Sequence, residues 1–378
     1  MATNRSAGRA YQTNTKRRKK RKKAGPLLLS ILAMAGLGIA VLIYQAIFTH
    51  QESIASMTAT PISTASTYLN TGDGLLYQTD GEIHFYHLTD SNRNYTYGMG
   101  ASDIRMSGSS AMTVVYNASS LQVVGQAAPI AFNGQVKAVE CGQKYLAVLR
   151  TTPEGVDTLL ILNTDGSSVD QRTFGDQFVV DFGFYSTSGE MLWIETLSAN
   201  AGTPTTTIST YDLNRRDISG VINIQDQLVD EIYVTSDSFF AAGTNQIIRY
   251  THDGNKEIYR YTIYGYQIAD FSSASGTPTF LLTPRGGDFH SVKLLTLAEG
   301  TAANAVETYL QLPGEGVAAF IMNNRLIVAG REKLYNYSIR ARLQSEATFD
   351  QPIDAAVKLT DSILLLSSNG TYYLTTVR

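Results

Sequence analysis

Hydrophobic positions fall into two regimes along this chain. From Pro26 to Phe48 they are nearly unbroken: PLLLSILAMAGLGIAVLIYQAIF, 23 residues without a charge. At ~1.5 Å per residue, a helix of that length is about 34 Å long, enough to cross a hydrocarbon core of roughly 30 Å. Lipid supplies no hydrogen-bond partners, so the pattern predicts one transmembrane helix over 26–48. From Pro61 onward the chain instead carries Val/Ile/Thr/Tyr-rich runs of five to eight residues, separated by Asp-Gly, Asn-Gly, Asn-Asn or Gly-Gly turns. No helical period is sustained there, and the body reads as all-β. Between the two regimes, residues 49–60 read as a Ser/Thr/Ala-rich tether, although Ser53–Thr58 alternates polar with apolar as a short strand does.

The body repeats. GQVKAVE at Gly134, DQFVVDF at Asp176, DQLVDEI at Asp226, YQIADFS at Tyr266, EGVAAFI at Glu315 and DQPIDAA at Asp350 share one short apolar strand; TPISTAS at Thr60 and GASDIRM at Gly100 are weaker copies. Their reference positions, Ile62, Ser102, Val136, Val179, Val229, Ile268, Val317 and Ile353, average about 42 residues apart. A four-stranded propeller blade takes ~40–45. The copy at Val229 divides into strands 229–235, 238–243, 246–252 and 257–264; that at Ile268 into 268–272, 279–283, 291–297 and 307–312. One sheet cannot cover both its faces, whereas radial stacking buries each against the next. The expected fold is a single β-propeller of four-stranded blades over 61–378, preceded by the membrane helix. After Ile353 the chain has room for three strands only. If Ile54–Thr60 supplies the fourth, the ring closes with eight blades; if that segment is linker, the count is seven.

Charge sharpens the topology. Residues 1–25 hold ten Lys/Arg and no acid, leaving 20 basic against all 33 acidic residues beyond, a net of −13. Eight cations run without a break: Lys16, Arg17, Arg18, Lys19, Lys20, Arg21, Lys22 and Lys23. Beside a first membrane helix such a run keeps the N-terminus cytoplasmic and places the C-terminal body outside. It also favours anionic lipid, at ~1 kcal/mol per cation. Nucleic-acid binding is the reading the same run would suggest in a soluble protein, and the adjacent helix argues against it. No small-residue cleavage site follows Phe48, so the helix reads as an uncleaved single-pass anchor. Gly36 and Ala40 form a small-xxx-small pair suited to close helix packing. Cys141 is the sole cysteine, so no intramolecular disulfide forms, which suits a bacterial envelope.

Candidate chemistry is sparse. His84 and His87 lie three apart in a strand and point to opposite faces, so they do not chelate one ion. His252 and His290 lack metal-ligand spacing. Asp80, Asp165 and Asp253 precede glycines, as hairpin turns require, and no loop has calcium-ligand spacing. Arg285–Asp288 reads as a polar loop and a candidate contact point. Among 22 tyrosines, Tyr259, Tyr261, Tyr264 and Tyr266 cluster, as do Tyr335 with Tyr337 and Tyr95 with Tyr97; they suit half-buried strands and also interfaces. Cys141 reads as a buried strand residue. No catalytic, cofactor-binding or metal-binding residue is singled out, and no cofactor is expected.

The eightfold copy, the Asp-Gly turns and the N-terminal anchor resemble membrane-anchored bacterial β-propellers of the quinoprotein-like and WD40-like superfamily. More narrowly, they are similar to a Gram-positive family of such proteins carrying a domain of unknown function. The likeness covers roughly residues 54–378 and is architectural. There is no Trp-Asp signature, and the sole tryptophan is Trp193, so the tryptophan motif of quinone-dependent dehydrogenases is missing and their cofactor residues are not carried over. Three functional readings follow. The leading one is a non-enzymatic, membrane-tethered extracytoplasmic propeller that binds a protein or cell-envelope polymer. The second is an enzyme acting on an envelope glycan or peptide at the propeller channel, for which a cluster of acids there would count. The third is a ligand-sensing signalling protein whose basic tail reports occupancy.

Overall fold

A computed structural model describes residues 51–377 apart from short gaps at 99–102, 127, 187–189, 200–201, 226, 287–288, 299–302 and 315; side chains of 51–53 and 186 are also left undescribed. The basic run Lys16–Lys23, the apolar stretch 26–48 and the Gly36/Ala40 pair lie outside the described residues. Among the described residues, no helix is long and apolar enough to cross a membrane.

The described residues form eight sheets arranged as propeller blades. Blade 1 runs Tyr68–Asn70, Gly74–Thr79, Glu82–His87 and Tyr95–Gly98; blade 2 runs Arg105–Gly108, Thr113–Tyr116, Ser120–Val123 and Ile130–Ala131. Blade 3 spans Gln135–Cys141 to Ser168–Phe174, blade 4 Phe178–Ser186 to Asp217–Ile224, and blade 5 Val229–Val234 to Glu257–Thr262. Blade 6 spans Tyr266–Ser272 to Ala305–Gln311, and blade 7 Gly316–Met322 to Leu343–Phe349. Blade 8 has Ala355–Lys358, Ile363–Ser368 and Thr371–Thr376. Within each blade, consecutive strands pair antiparallel in sequence order. First strands of adjacent blades approach one another, so they form the inner wall of the ring.

Burial follows from this stacking. Second strands are sandwiched between neighbouring blades, and Ser238–Gly243 is buried at every position. Fourth strands form the outer edge, and Glu257–Thr262 is mostly exposed. The apolar core is divided into eight clusters, each drawn mainly from two adjacent blades. Between blades 5 and 6, for example, Phe240 and Ile247 meet Phe280 and Leu282, with the Phe240 and Phe280 rings 5.4 Å apart edge to face. Hairpins carry the geometry their residues favour. Asp80 and Gly81 (φ 51° and 81°), and Asn369 and Gly370 (49° and 79°), both take positive φ, as tight hairpins need. At Asp165 and Asp253 only the following glycine turns left-handed; the aspartates instead accept the Ser167 and Asn255 N–H groups.

The ring has eight blades and closes through the chain ends, with the closing strand at Thr58–Ser63, three or four residues on from the expected 54–60. Thr58–Ser63 pairs antiparallel with Thr371–Thr376 as the fourth strand of blade 8, and Thr60 Oγ1 donates to Tyr372 O at 2.9 Å. Of the expected closing segment 54–60, Ile54 and Ala55 belong elsewhere. Gln51–Ala55 lies parallel to Leu343–Phe349 as a fifth, outermost strand on blade 7. Ile62, read as the first inner-strand copy, sits in this closing strand. It is 1% exposed against Leu75, Leu365 and Leu374, so burial between blades 8 and 1 gives it an inner-strand signature. The true inner strand of blade 1 is the short Tyr68–Asn70.

Candidate functional site

The inner wall is built on a recurring irregularity. The first strands of blades 3 to 7 each carry a β-bulge at the same register, after Val136, Val179, Val229, Ile268 and Gly316. A bulge twists its strand and re-aims the side chains beside it. The residue that resumes the ladder is Ala138, Asp181, Glu231, Asp270 and Ala318 respectively, so three consecutive blades place an acid at equivalent positions. Asp181 and Asp270 each accept the next backbone N–H, from Phe182 and Phe271, at 2.8 Å.

These acids have different fates. Asp270 is satisfied: it accepts the Ile321 N–H at 2.7 Å and pairs with Lys358 Nζ at 3.3 Å, which also donates to Ile321 O at 2.6 Å. This contact ties blades 6, 7 and 8 together. Burial still holds the Asp270 carboxyl above its ordinary range, with Lys358 opposing it. Asp181 and Glu231 have no ion pair within the described residues. Glu195 faces Asp181 across the blade 4 ladder, is 4% exposed, and receives neither a hydrogen bond nor a cation among the described residues. Desolvation, then the Asp181 and Asp230 charges, push Glu195 up to about 7. Glu140 on blade 3 is pushed up to about 7 by desolvation and Asp181. Desolvation also raises Asp181, and desolvation followed by Asp230 raises Glu231. Glu140 and Glu195 thus both feel the Asp181 charge, behind desolvation as the larger cause.

Nearby cations are engaged elsewhere. Lys137 pairs with Asp157 at 2.7 Å, and Arg105 donates to the Val136 and Lys137 carbonyls. Arg285 reaches Asp230 at 3.6 Å and donates to Tyr266 O. The first strand of blade 5 stands farther from its neighbours than most inner strands do, and a cavity of about 430 Å³ opens beside it. Asp230, Glu231, Gln267 and Arg285 line it. Where the inner strands of blades 4 and 5 begin, large apolar side chains face solvent: Phe178 (73% exposed), Val180 (54%) and Leu228 (53%). Tyr264, before the inner strand of blade 6, lies on the same face of the ring and is 79% exposed.

The remaining expected features are structural. His84 stacks on Tyr77 at 5.2 Å, and buried His87 accepts the Asp90 N–H through Nδ1. His252 Nδ1 lies 2.9 Å from Thr235 O, and the ring packs edge-on against Tyr185. Cys141 is buried, and desolvation pushes its thiol up to about 12. Of the tyrosine clusters, Tyr337 is buried while Tyr259 and Tyr264 are exposed. Of the polar loop 285–288, Arg285 contributes to the cavity, and Gly287 and Asp288 lie outside the described residues. No three His, Cys, Asp or Glu side chains among the described residues converge as metal ligands. Residue-by-residue reading missed Asp181, Glu231 and Asp270, yet each lies two positions after a repeat reference residue. Aligning the copies on that residue would have exposed the acid column.

An eight-bladed β-propeller with an acidic inner wall and an apolar mouth is thus the class that fold and site define. The chain belongs to the family of unknown function DUF5711, whose profile matches residues 44–374. Solved structures similar to it include BamB from Moraxella catarrhalis (12% identity, TM-score 0.51, covering 86% of this chain and 98% of that one). The C-terminal WD40 domain of Sif2 matches at 11% identity and TM-score 0.55, over 87% and 99% of the two chains. The WD40 domain of SCAP from fission yeast matches at 9% and 0.58, over 85% and 94%. At these identities the likeness is one of fold. No curated protein matches the chain significantly.

Proposed function

We propose that this protein is a membrane-tethered propeller, held outside the cytoplasm, that binds a protein or cell-envelope polymer without transforming it. The observation that carries the binding role is the group of exposed apolar side chains, Phe178, Val180, Leu228 and Tyr264, on one face of blades 4 to 6. Large apolar side chains left exposed at the starts of neighbouring inner strands mark an interaction surface more than a single scattered one does. The tether rests on the uncharged stretch 26–48 behind the Lys16–Lys23 run, with anionic lipid as the partner of that run. A bacterial, Gram-positive envelope is the setting this arrangement suits. Photo-crosslinking amino acids at positions 178 and 228 in the full chain, in intact cells, test the binding role. Adducts at both and none at exposed Ile218 on the outer edge of blade 4 are expected; equal labelling at all three sites refutes it. Protease protection of a C-terminal tag in intact cells would refute the topology.

The acidic wall favours a second reading, an envelope glycan- or peptide-acting enzyme. Glu140 and Glu195, both near 7, lie in the range a general acid needs. Release of reducing sugar or peptide from purified envelope, abolished by Glu195→Gln, would replace the binding role with this one.

A further inference from the structure

Phe178, Val180 and Leu228 stand exposed where two neighbouring inner strands begin, and the acids lie just along those strands. Asp181 follows Val180 directly, and Glu231 lies three residues past Leu228. Behind Asp181, Glu195 is buried with no donor and no cation among the described residues, and it faces Asp181 and Asp230. A carboxylate set mostly in the protein without a partner is less favourable than one paired with a cation. Blade 6 shows the satisfied version of the same position, where Lys358 meets Asp270. Blade 8 supplies that cation; beside blade 5, Arg285 reaches Asp230, but Asp181 and Glu231 have no ion pair among the described residues. The missing complement is a positive group.

Resting on the binding role above, we infer that the partner presents a peptide segment in which Lys or Arg is flanked by aliphatic or aromatic side chains. The cation enters beside Asp181 and Glu231, and its apolar neighbours cover Phe178, Val180 and Leu228. A bare metal ion suits the site less well, because three carboxyls do not converge as ligands among the described residues. Charge complementarity over an apolar rim sets both orientation and specificity.

Fluorescence anisotropy on the full chain in detergent tests this with three labelled peptides. They are Gly-Phe-Lys-Leu-Arg-Phe-Gly, its counterpart with Glu at both basic positions, and one with Ser at every Phe and Leu. The first should bind at least about ten-fold more tightly than the others at low salt. Asp181→Asn with Glu231→Gln should weaken it by about ten-fold, and Phe178→Ser should weaken it comparably. Asn at 181 retains an oxygen that accepts the Phe182 N–H, and Glu346→Gln on the fourth strand of blade 7 serves as a remote control with unchanged binding. Equal binding of the Glu peptide, lost in Phe178→Ser, overturns the cationic partner and leaves the binding role standing. No binding by any peptide, or binding indifferent to residues 178, 181 and 231, also overturns it. The binding role itself is decided independently by the crosslinks at 178 and 228.

Discussion

Replacing Glu195 by Gln should stabilise the propeller at pH 8 and leave it nearly unchanged at pH 4. Glu195 is 4% exposed, and its carboxyl is raised from 4.5 to about 7 by desolvation first and by Asp181 and Asp230 second. Because the folded value lies above the unfolded one, the native state holds more protons between those limits. Stability therefore falls as pH rises from about 4.5 to about 7, and is level beyond. A rise of that size corresponds to at most ~3.4 kcal/mol. Solvent access to the carboxyl oxygens reduces this to about 1–2 kcal/mol for the single substitution. Gln keeps the shape of the neutral acid and removes the ionisation. In a body this large, that gain raises the thermal midpoint by about 2–4 °C at pH 8. Thermal unfolding followed by Trp193, two residues away on the same strand, at pH 4 to 8 reads the difference directly. A variant less stable than the parent at pH 8, or a difference that does not grow between pH 5 and 7, would refute the reasoning.

Three other outcomes follow from the packing. Ile62→Ala should destabilise by about 2–4 kcal/mol in chemical denaturation, since Ile62 is 1% exposed, while Ile54→Ala, at 75% exposure, should change stability by less than about 0.5 kcal/mol. Gly220→Ala should lower stability by about 2–3 kcal/mol, because a Cβ there collides with the Asp253 carbonyl and displaces the Thr210 hydroxyl that donates to it at 2.6 Å; a thermal midpoint equal to the parent's would contradict this. Cys141 should react with a maleimide only on unfolding, since its thiol is buried and held near 12; prompt labelling of the native chain at pH 7.5 would show the site wrongly placed.

Strands were legible wherever two blades bury them alike. In blade 5, the expected 238–243 is the observed Ser238–Gly243, and the other three strands fall within two residues of their expected bounds. That alternation is local, set by contact with the next blade about 40 residues away. Blades 1 and 2 were harder to read because their inner strands, Tyr68–Asn70 and Arg105–Gly108, are short and carry no fully apolar run. Closure was harder still: it joins Thr60 to Tyr372 across 312 residues, and nothing in either segment names the other. The alternation at 53–58 points to closure by 54–60, with 60–66 as an inner-strand copy, whereas the closing strand is Thr58–Ser63. Burial fixes this register, since Ile62 reaches the blade 8 and blade 1 core whereas Ala55 packs between blades 7 and 8. The acid column shows the complementary limit. Asp181, Glu231 and Asp270 hold one place in the repeat, so the sequence contains their alignment. What separates Asp270 from the other two is Lys358, 88 residues on in another blade. Glu195 lies outside the repeat signal altogether, and its burial comes from the strand it sits on. Repetition thus makes positions equivalent, while function is written in the few places where neighbouring blades fail to satisfy them equally.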